Sequence, residues 1–187
     1  MSDFFHRSFD YILSSELIPV FLRMKVMRMR GYNFTSDACI WAHHIIKSKQ
    51  MSLGRESFIN IGFFYDGAGD LDIGDRVRIG QFVRVLTATH EIGPSEQRCT
   101  MQAVVKPVSI EDGCWVGANV TILPGVVVRK GCVIGANSLV TRSTDENCLY
   151  VGNPARRIRR IKDGGEVVAL PVEAGSLVPI LPRVARA

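Results

Sequence analysis

His90 is the side chain of this sequence best suited to moving a proton at neutral pH. It sits in TATHEIG, residues 87–93, and an imidazole, with an unperturbed pKa of ~6.5, can take a hydroxyl proton and hand it on. A histidine in a loop often does no more than bond to backbone, so its setting has to make the case. His6, His43 and His44 have no such setting and read as surface or packing residues. A base also needs a partner for its other ring nitrogen. Glu91 is adjacent, but neighbours in an extended chain point to opposite faces. It would reach His90 only through a kink, and it is expected to face substrate or solvent.

The other reactive side chains narrow the field. Cys39, Cys99, Cys114, Cys132 and Cys148 form no C-x-x-C pair and are odd in number, which argues against a disulfide framework or structural zinc and for a reducing cytoplasm. Catalytic zinc needs three converging ligands, and His90 is the one histidine placed in or beside the regular coils described below, so no metal is expected. The net charge of +5 is diffuse except in RRIRRIK, residues 156–162. That cluster suits a local anion site better than a nucleic-acid groove. Arg156 and Arg159 carry planar, persistent charges suited to phosphate; the rival reading is a solvated basic helix or a patch for membrane phosphates.

The elements that must position these residues show in the spacing. Ile110, Val116, Ile122, Val128, Ile134 and Val140 recur at every sixth position, and Cys114, Val120, Val126, Cys132 and Ser138 each follow one of them by four. A helix would repeat at three and four, a half-buried strand at two. Ile73, Ile79 and Val85 keep the step of six, and a looser version reaches back toward Cys39. Six residues hold a short strand and a bend, so three sixes close a triangular coil. Coils stacked at ~4.8 Å give each backbone group a partner above and below. Gly74, Gly80, Gly117 and Gly135, each just after an aliphatic residue, suit tight corners. A β-sandwich would space its strands by ~8–12 residues instead. At 187 residues and 47% hydrophobic, the chain can bury one such core with small appendages. The repeat breaks between Thr89 and Val108. Residues 89–107 are therefore expected to form an extended loop beginning beside His90, and loops on a rigid scaffold carry function.

Together these features resemble the hexapeptide-repeat acyltransferases over roughly residues 36–161. TATHEIG, KPVSIEDGCWVGANVTILPGV (106–126), VIGANSLVTR (133–142) and GNPARRIRRI (152–161) occur in the family's order and look like its sugar O-acetyltransferase branch, with the galactoside and maltose enzymes as the comparison. The resemblance implies a left-handed parallel β-helix, acetyl-CoA as donor, and a saccharide or glycoconjugate acceptor in cytoplasmic synthesis of a surface polysaccharide. It also implies a homotrimer with its sites between adjacent prisms. On this resemblance His90 is the base and Asn60 contacts the acceptor. Asp66, in FFYDGAGD, holds a sugar hydroxyl, and Trp115 walls the acyl site. Ala118, Ala136, Thr141 and Arg142 line the coenzyme groove, and Arg156 and Arg159 meet its phosphates. Two positions depart from the pattern. The serine that galactoside enzymes carry just after WVG is Ala118, which leaves backbone N–H groups as oxyanion donors there, and Asp66 is one or two positions off the family's acidic pair. The plainer readings make Asn60 and Asp66 turn formers and let Trp115 pack against a neighbouring subunit.

Residues 1–35 are expected to form two short helices split at Pro19, which cap the open end of the prism against edge pairing. Their mixture of apolar and basic residues also suits weak docking on a lipid surface. The apolar run LIPVFL follows Glu16 and is shorter than a signal h-region or the ~20 residues of a membrane span, so export is not expected. Beyond Ile161 the repeat is lost, and residues 162–187 read as an irregular tail. The functional alternatives are N-acetylation of a nucleotide amino sugar or an amino acid, and a non-catalytic solenoid used for binding.

Overall fold

In the computed structural model, which describes residues 9–162 and the strand Val167–Ala169, the period of six becomes a three-sided, left-handed parallel β-helix. The first side stacks β1 (Asn33–Phe34), β4 (Met51–Leu53), β7 (Leu71–Ile73), β12 (Val108–Ile110) and β15 (Val127–Val128). The second stacks β2 (Cys39–Ile40), β5 (Phe58–Ile59), β8 (Arg78–Ile79), β13 (Trp115–Val116), β16 (Val133–Ile134) and β18 (Cys148–Val151). The third stacks β3 (Ile45–Ile46), β6 (Phe64–Tyr65), β9 (Arg84–Val85), β14 (Thr121–Ile122) and β17 (Leu139–Val140). Five coils are complete, and β18 opens a sixth.

A two-residue strand cannot stand alone, so these strands persist through what lies above, below and inside them. On the second side Ile40, Ile59, Ile79, Val116 and Ile134 stand in one column, none more than 1% exposed. Burying each contributes roughly 1.5–3 kcal/mol. Smaller residues, among them Val77, Cys114, Cys132 and Cys148, fill the positions between the columns. Burial pushes the Cys114 thiol up to about 12 and raises that of Cys132, so both serve as small apolar filler and are not nucleophiles.

Register explains why the repeat is clear in one half of the sequence and blurred in the other. Ser109 pairs with Val127 and Trp115 with Val133, steps of 18 residues. Phe34 pairs with Leu53, a step of 19, and Leu53 with Ile73, a step of 20. Ile73 pairs with Ile110, a step of 37. All the extra residues leave at one corner, where the third side turns into the first. There the inward residues run from Ile122 to Val126 without insertion, but from Ile46 to Met51, Tyr65 to Leu71 and Val85 to Val108 with progressively longer ones.

The expected extended loop at 89–107 is an ordered antiparallel hairpin, β10 (Ala88–Ile92) with β11 (Cys99–Val105). At the lower end, residues 9–13 and the helix α1 (Val20–Met29) cap the first coil. The prism begins at Asn33, slightly inside the segment expected as cap; residues 1–8 lie outside those described. At the upper end β18 turns back, through a cis Asn153–Pro154 bond, into β19 (Arg156–Ile161). The basic run is therefore a strand and not a helix, paired on both sides. The tail expected to be irregular includes β20 (Val167–Ala169), antiparallel to β19; residues 163–166 and 170–187 lie outside those described. No helix among the described residues is long and apolar enough to cross a membrane.

Arg23 holds the cap on. It is 1% exposed, and its guanidinium donates to the carbonyls of Leu13 (2.9 Å), Ser15 (2.7 Å), Ile18 (3.0 Å) and, on the first coil, Ile40 (3.1 Å). Burial lowers its pKa. Replacing it by methionine strands these carbonyls, and an Arg23→Met chain should lose about 3–5 kcal/mol in urea unfolding. His44 is also buried, its Nδ1 2.9 Å from the Trp41 carbonyl, and burial holds its pKa below the ordinary value. The unfolded chain thus takes up this proton at higher pH than the folded one. Stability is full above the usual histidine pKa and falls as pH drops from there toward the lowered folded value. The melting temperature of the wild type should decline over that window, and His44→Gln should flatten the decline.

Candidate active site

Stacking turns each corner of the prism into a column, and the corner between the second and third sides takes no insertion. From the first coil upward it reads Trp41-Ala42-His43, Asn60-Ile61-Gly62, Gly80-Gln81-Phe82, Gly117-Ala118-Asn119 and Gly135-Ala136-Asn137. Gly62, Phe82, Asn119 and Asn137 each donate a backbone N–H to the middle residue of the corner below, at 3.1, 2.9, 2.7 and 2.9 Å. The upper two coils are stripped of bulk. A Cβ added at Gly117 would lie 2.7 Å from the Ala136 nitrogen, so the corner demands glycine there. Asn119 and Asn137 carry positive φ, which asparagine tolerates, and their amides bond at 2.7 Å. The N–H groups of Ala118 and Ala136 have no partner among the described residues. That leaves a smooth edge with free backbone donors, able to take the carbonyls of a narrow extended chain.

The corner of insertions, at the other edge of the third side, carries His90. It lies on β10, exposed, opposite Ala103 in the hairpin. Among the described residues nothing takes up its ring nitrogens. The pairing shifts between His90 and Ile92, so Glu91 occupies a local irregularity; no hydrogen bond joins it to His90. Asp66 holds the base of the hairpin. Its Oδ2 accepts from Thr87 N at 2.8 Å and Ala88 N at 3.2 Å, its Oδ1 from Ala68 N and, in a short bond, the Thr87 hydroxyl. The carboxylate expected to meet a sugar hydroxyl accepts instead from Thr87 and Ala88 one coil on, with one local bond from Ala68. Tyr65, whose buried hydroxyl is pushed up to about 12, bonds to the Gln50 and Gly69 carbonyls and braces the same corner.

The expected site residues therefore divide between two edges. Asn60, Ala118 and Ala136 share the smooth corner, while Asp66, His90, Thr141 and Arg142 belong to the insertion corner. Trp115 faces outward from the second side, 60% exposed, close to Ala118 along the chain. Asn60 Oδ1 accepts from the Ile61 N–H at 2.8 Å. Arg156 is exposed on β19, bonded to the Ala155 carbonyl, and Arg159 is partly buried on the same strand with its Nε unsatisfied. Sequence reasoning did not single out Trp41 or Phe82. Trp41 lies in the blurred part of the repeat; Phe82 lies in the clear stretch from Ile73 to Val85, but the corner residues beneath it are in the blurred part.

A family model described as "Hexapeptide repeat of succinyl-transferase" matches residues 107–142. A hexapeptide-repeat-containing acetyltransferase from Vibrio cholerae, solved in complex with acetyl coenzyme A, is 30% identical, with 74% of this chain and 76% of that one covered and a TM-score of 0.68. This chain belongs to the hexapeptide-repeat acyltransferase family. A maltose O-acetyltransferase from Clostridium difficile is 28% identical, covering 75% of each chain, with a TM-score of 0.61. A galactoside O-acetyltransferase of Lactococcus lactis is 36% identical over 115 residues, 62% of this chain and 55% of that protein. The chain spans about half the length of the curated relatives it matches.

Asp66 is the join between hairpin and prism. Asp66→Ala should leave the amides of Thr87 and Ala88 unprotected, and hydrogen exchange should rise there and along β10 while the columns of the upper coils stay protected.

Proposed function

We propose that this chain is a cytoplasmic, acetyl-CoA-dependent O-acetyltransferase that modifies a saccharide hydroxyl, with His90 as general base. The observation that carries the reading is the pairing of two unlike edges on one side of the prism. One presents an exposed imidazole on a braced hairpin, the other a corner cleared to backbone with free N–H donors. The first suits proton removal from an alcohol, the second the amide-bearing arm of coenzyme A. Relatives named galactoside and maltose O-acetyltransferases support the acceptor class.

Asn60 and the cleared corner do not meet His90 within one chain, so the reading pairs the hairpin of one subunit with the smooth corner of the next, in a closed trimer. Trp115 then walls the acyl group, and Thr141 and Arg142 of the hairpin edge close the groove from the other side. Arg156 and Arg159 lie toward the upper end, where the nucleotide phosphates would emerge. His90 accepts the hydroxyl proton as the oxygen attacks the thioester carbonyl, and the imidazolium returns it to the leaving thiolate. With alanine at position 118, the developing oxyanion is met by backbone N–H groups. Among the described residues no His, Cys, Asp and Glu converge as a metal site, and none is needed for this step. The setting proposed is modification of a surface polysaccharide or glycoconjugate.

His90→Ala should slow acceptor-dependent thiol release from acetyl-CoA by about 10²–10⁴-fold. Turnover unchanged with a verified acceptor would contradict the assignment of the base. Mass and linkage analysis of the product separates O- from N-acetylation.

A further inference from the structure

The smooth corner changes character below the level of Ala118, and there it gathers aromatic side chains around Asn60. Trp41 continues the register one residue past the Ile40–Ile59 pair, which puts it directly beneath Asn60. Phe58, two residues before Asn60, meets the Trp41 ring edge to face, with centroids 5.8 Å apart and planes at 76°. From one coil above, Phe82 lays its ring over Gly62; a Cβ on that glycine would lie 2.3 Å from the ring. Phe82 has a φ of 58°, a conformation unfavourable for a bulky residue, where the two coils above place asparagine. Trp41 is 48% and Phe82 54% exposed.

The Nδ2 group of Asn60 has no partner among the described residues. Arg78, which pairs with Phe58 on the next coil, gives its guanidinium to the Glu56 carbonyl. The surface is thus largely aromatic and equipped with a free amide donor, with the Arg78 guanidinium at its edge turned onto a carbonyl. A pyranose ring, with an apolar C–H face and hydroxyl edges, matches the aromatic face and the amide donor together.

We propose that Trp41, Phe58, Asn60 and Phe82 form a saccharide subsite that selects acceptors of two or more hexopyranose units. It rests on the acetyltransferase reading for its place in the reaction. Trp41 lies three coils below Ala118, about 14 Å at ~4.8 Å per coil, farther than one sugar ring extends from the acyl end. The first unit is held at Asn60 and the next stacks on Trp41.

Binding measured without acetyl-CoA tests the subsite separately from the chemistry. Calorimetry on the full chain uses glucose, maltose and maltotriose, and galactose with lactose. Wild-type affinity should rise at least about tenfold from one unit to two or three in one of the series. Trp41→Ala should remove that gain and leave monosaccharide binding unchanged, Trp41→Phe should keep most of it, and the oligomeric mass should not move. The proposal is overturned by a gain that survives in Trp41→Ala, by a wild type that binds no oligosaccharide of either series, or by a change of mass in Trp41→Ala, which would make this surface a contact with a second copy. Length-dependent binding that needs Trp41 but brings no thiol release sinks the acetyltransferase reading and leaves the subsite standing. His90-dependent release with every acceptor length spared in Trp41→Ala does the reverse.

Discussion

The hydrogen bonds that hold this prism together run from coil to coil, and they fix the height of each coil and the residue that must lie above each other residue. A strand of two residues contributes almost nothing by itself. Stacked in five coils it has partners on both sides, and the inward aliphatic columns turn the stack into a continuous dry core. The constraint is severe: a residue inserted on a side would push every later inward side chain out of its column. Only corners can absorb extra length, and in this chain a single corner absorbs all of it.

The functional surface follows from that restriction. The corner that takes the insertions grows a bulge, then a hairpin, and the hairpin brings an imidazole away from the wall. The corner between the second and third sides, which takes no insertion, stays in register through five coils, so its residues form straight lines, and a change of residue type along a line becomes a change of surface along the prism. Glycine and alanine in the upper coils leave backbone on view, while tryptophan, phenylalanine and asparagine in the lower ones make a platform. Asp66 ties the two kinds of corner into one body by fixing the root of the hairpin.

The fold was legible in the sequence because steps of 18 leave the period of six intact from Ile110 to Val140. It blurs from Cys39 to Leu71 because steps of 19 and 20 shift the phase by one and two residues, which a single sequence does not distinguish from irregular spacing. His90 could be found from the break in the repeat, whereas the hairpin around it could not, since β10 and β11 pair with each other and owe nothing to the period. The family resemblance sets Asp66 against the acceptor, and its residue type says nothing of which amides it will meet; those belong to Thr87 and Ala88, on the next coil. The arginines of 156–160, for which a solvated basic helix was the rival reading, follow a cis-proline turn and pair with β18. Trp41 carried no signal at all, as its proposed role depends on lying beneath Asn60.

A triangular prism has two corners on every side, and this decides how such a site can be built. In one chain the imidazole edge and the smooth edge border the same side from opposite ends, so a reaction that needs both must bring a second prism alongside. On the proposed reading the demand for a partner is therefore a property of the cross-section, since keeping the proposed base and groove on one chain would require the hairpin to cross the whole third side. That side presents Ile45, Phe64, Arg84, Thr121 and Leu139 outward, a more apolar row than the Asn33, Ser52, Asp72, Ser109 and Val127 of the first. The first side is the one composed to face water. The proposed trimer places the apolar row inward and sets each hairpin against the next chain's smooth corner, so that subunit packing and assembly of the site become the same event.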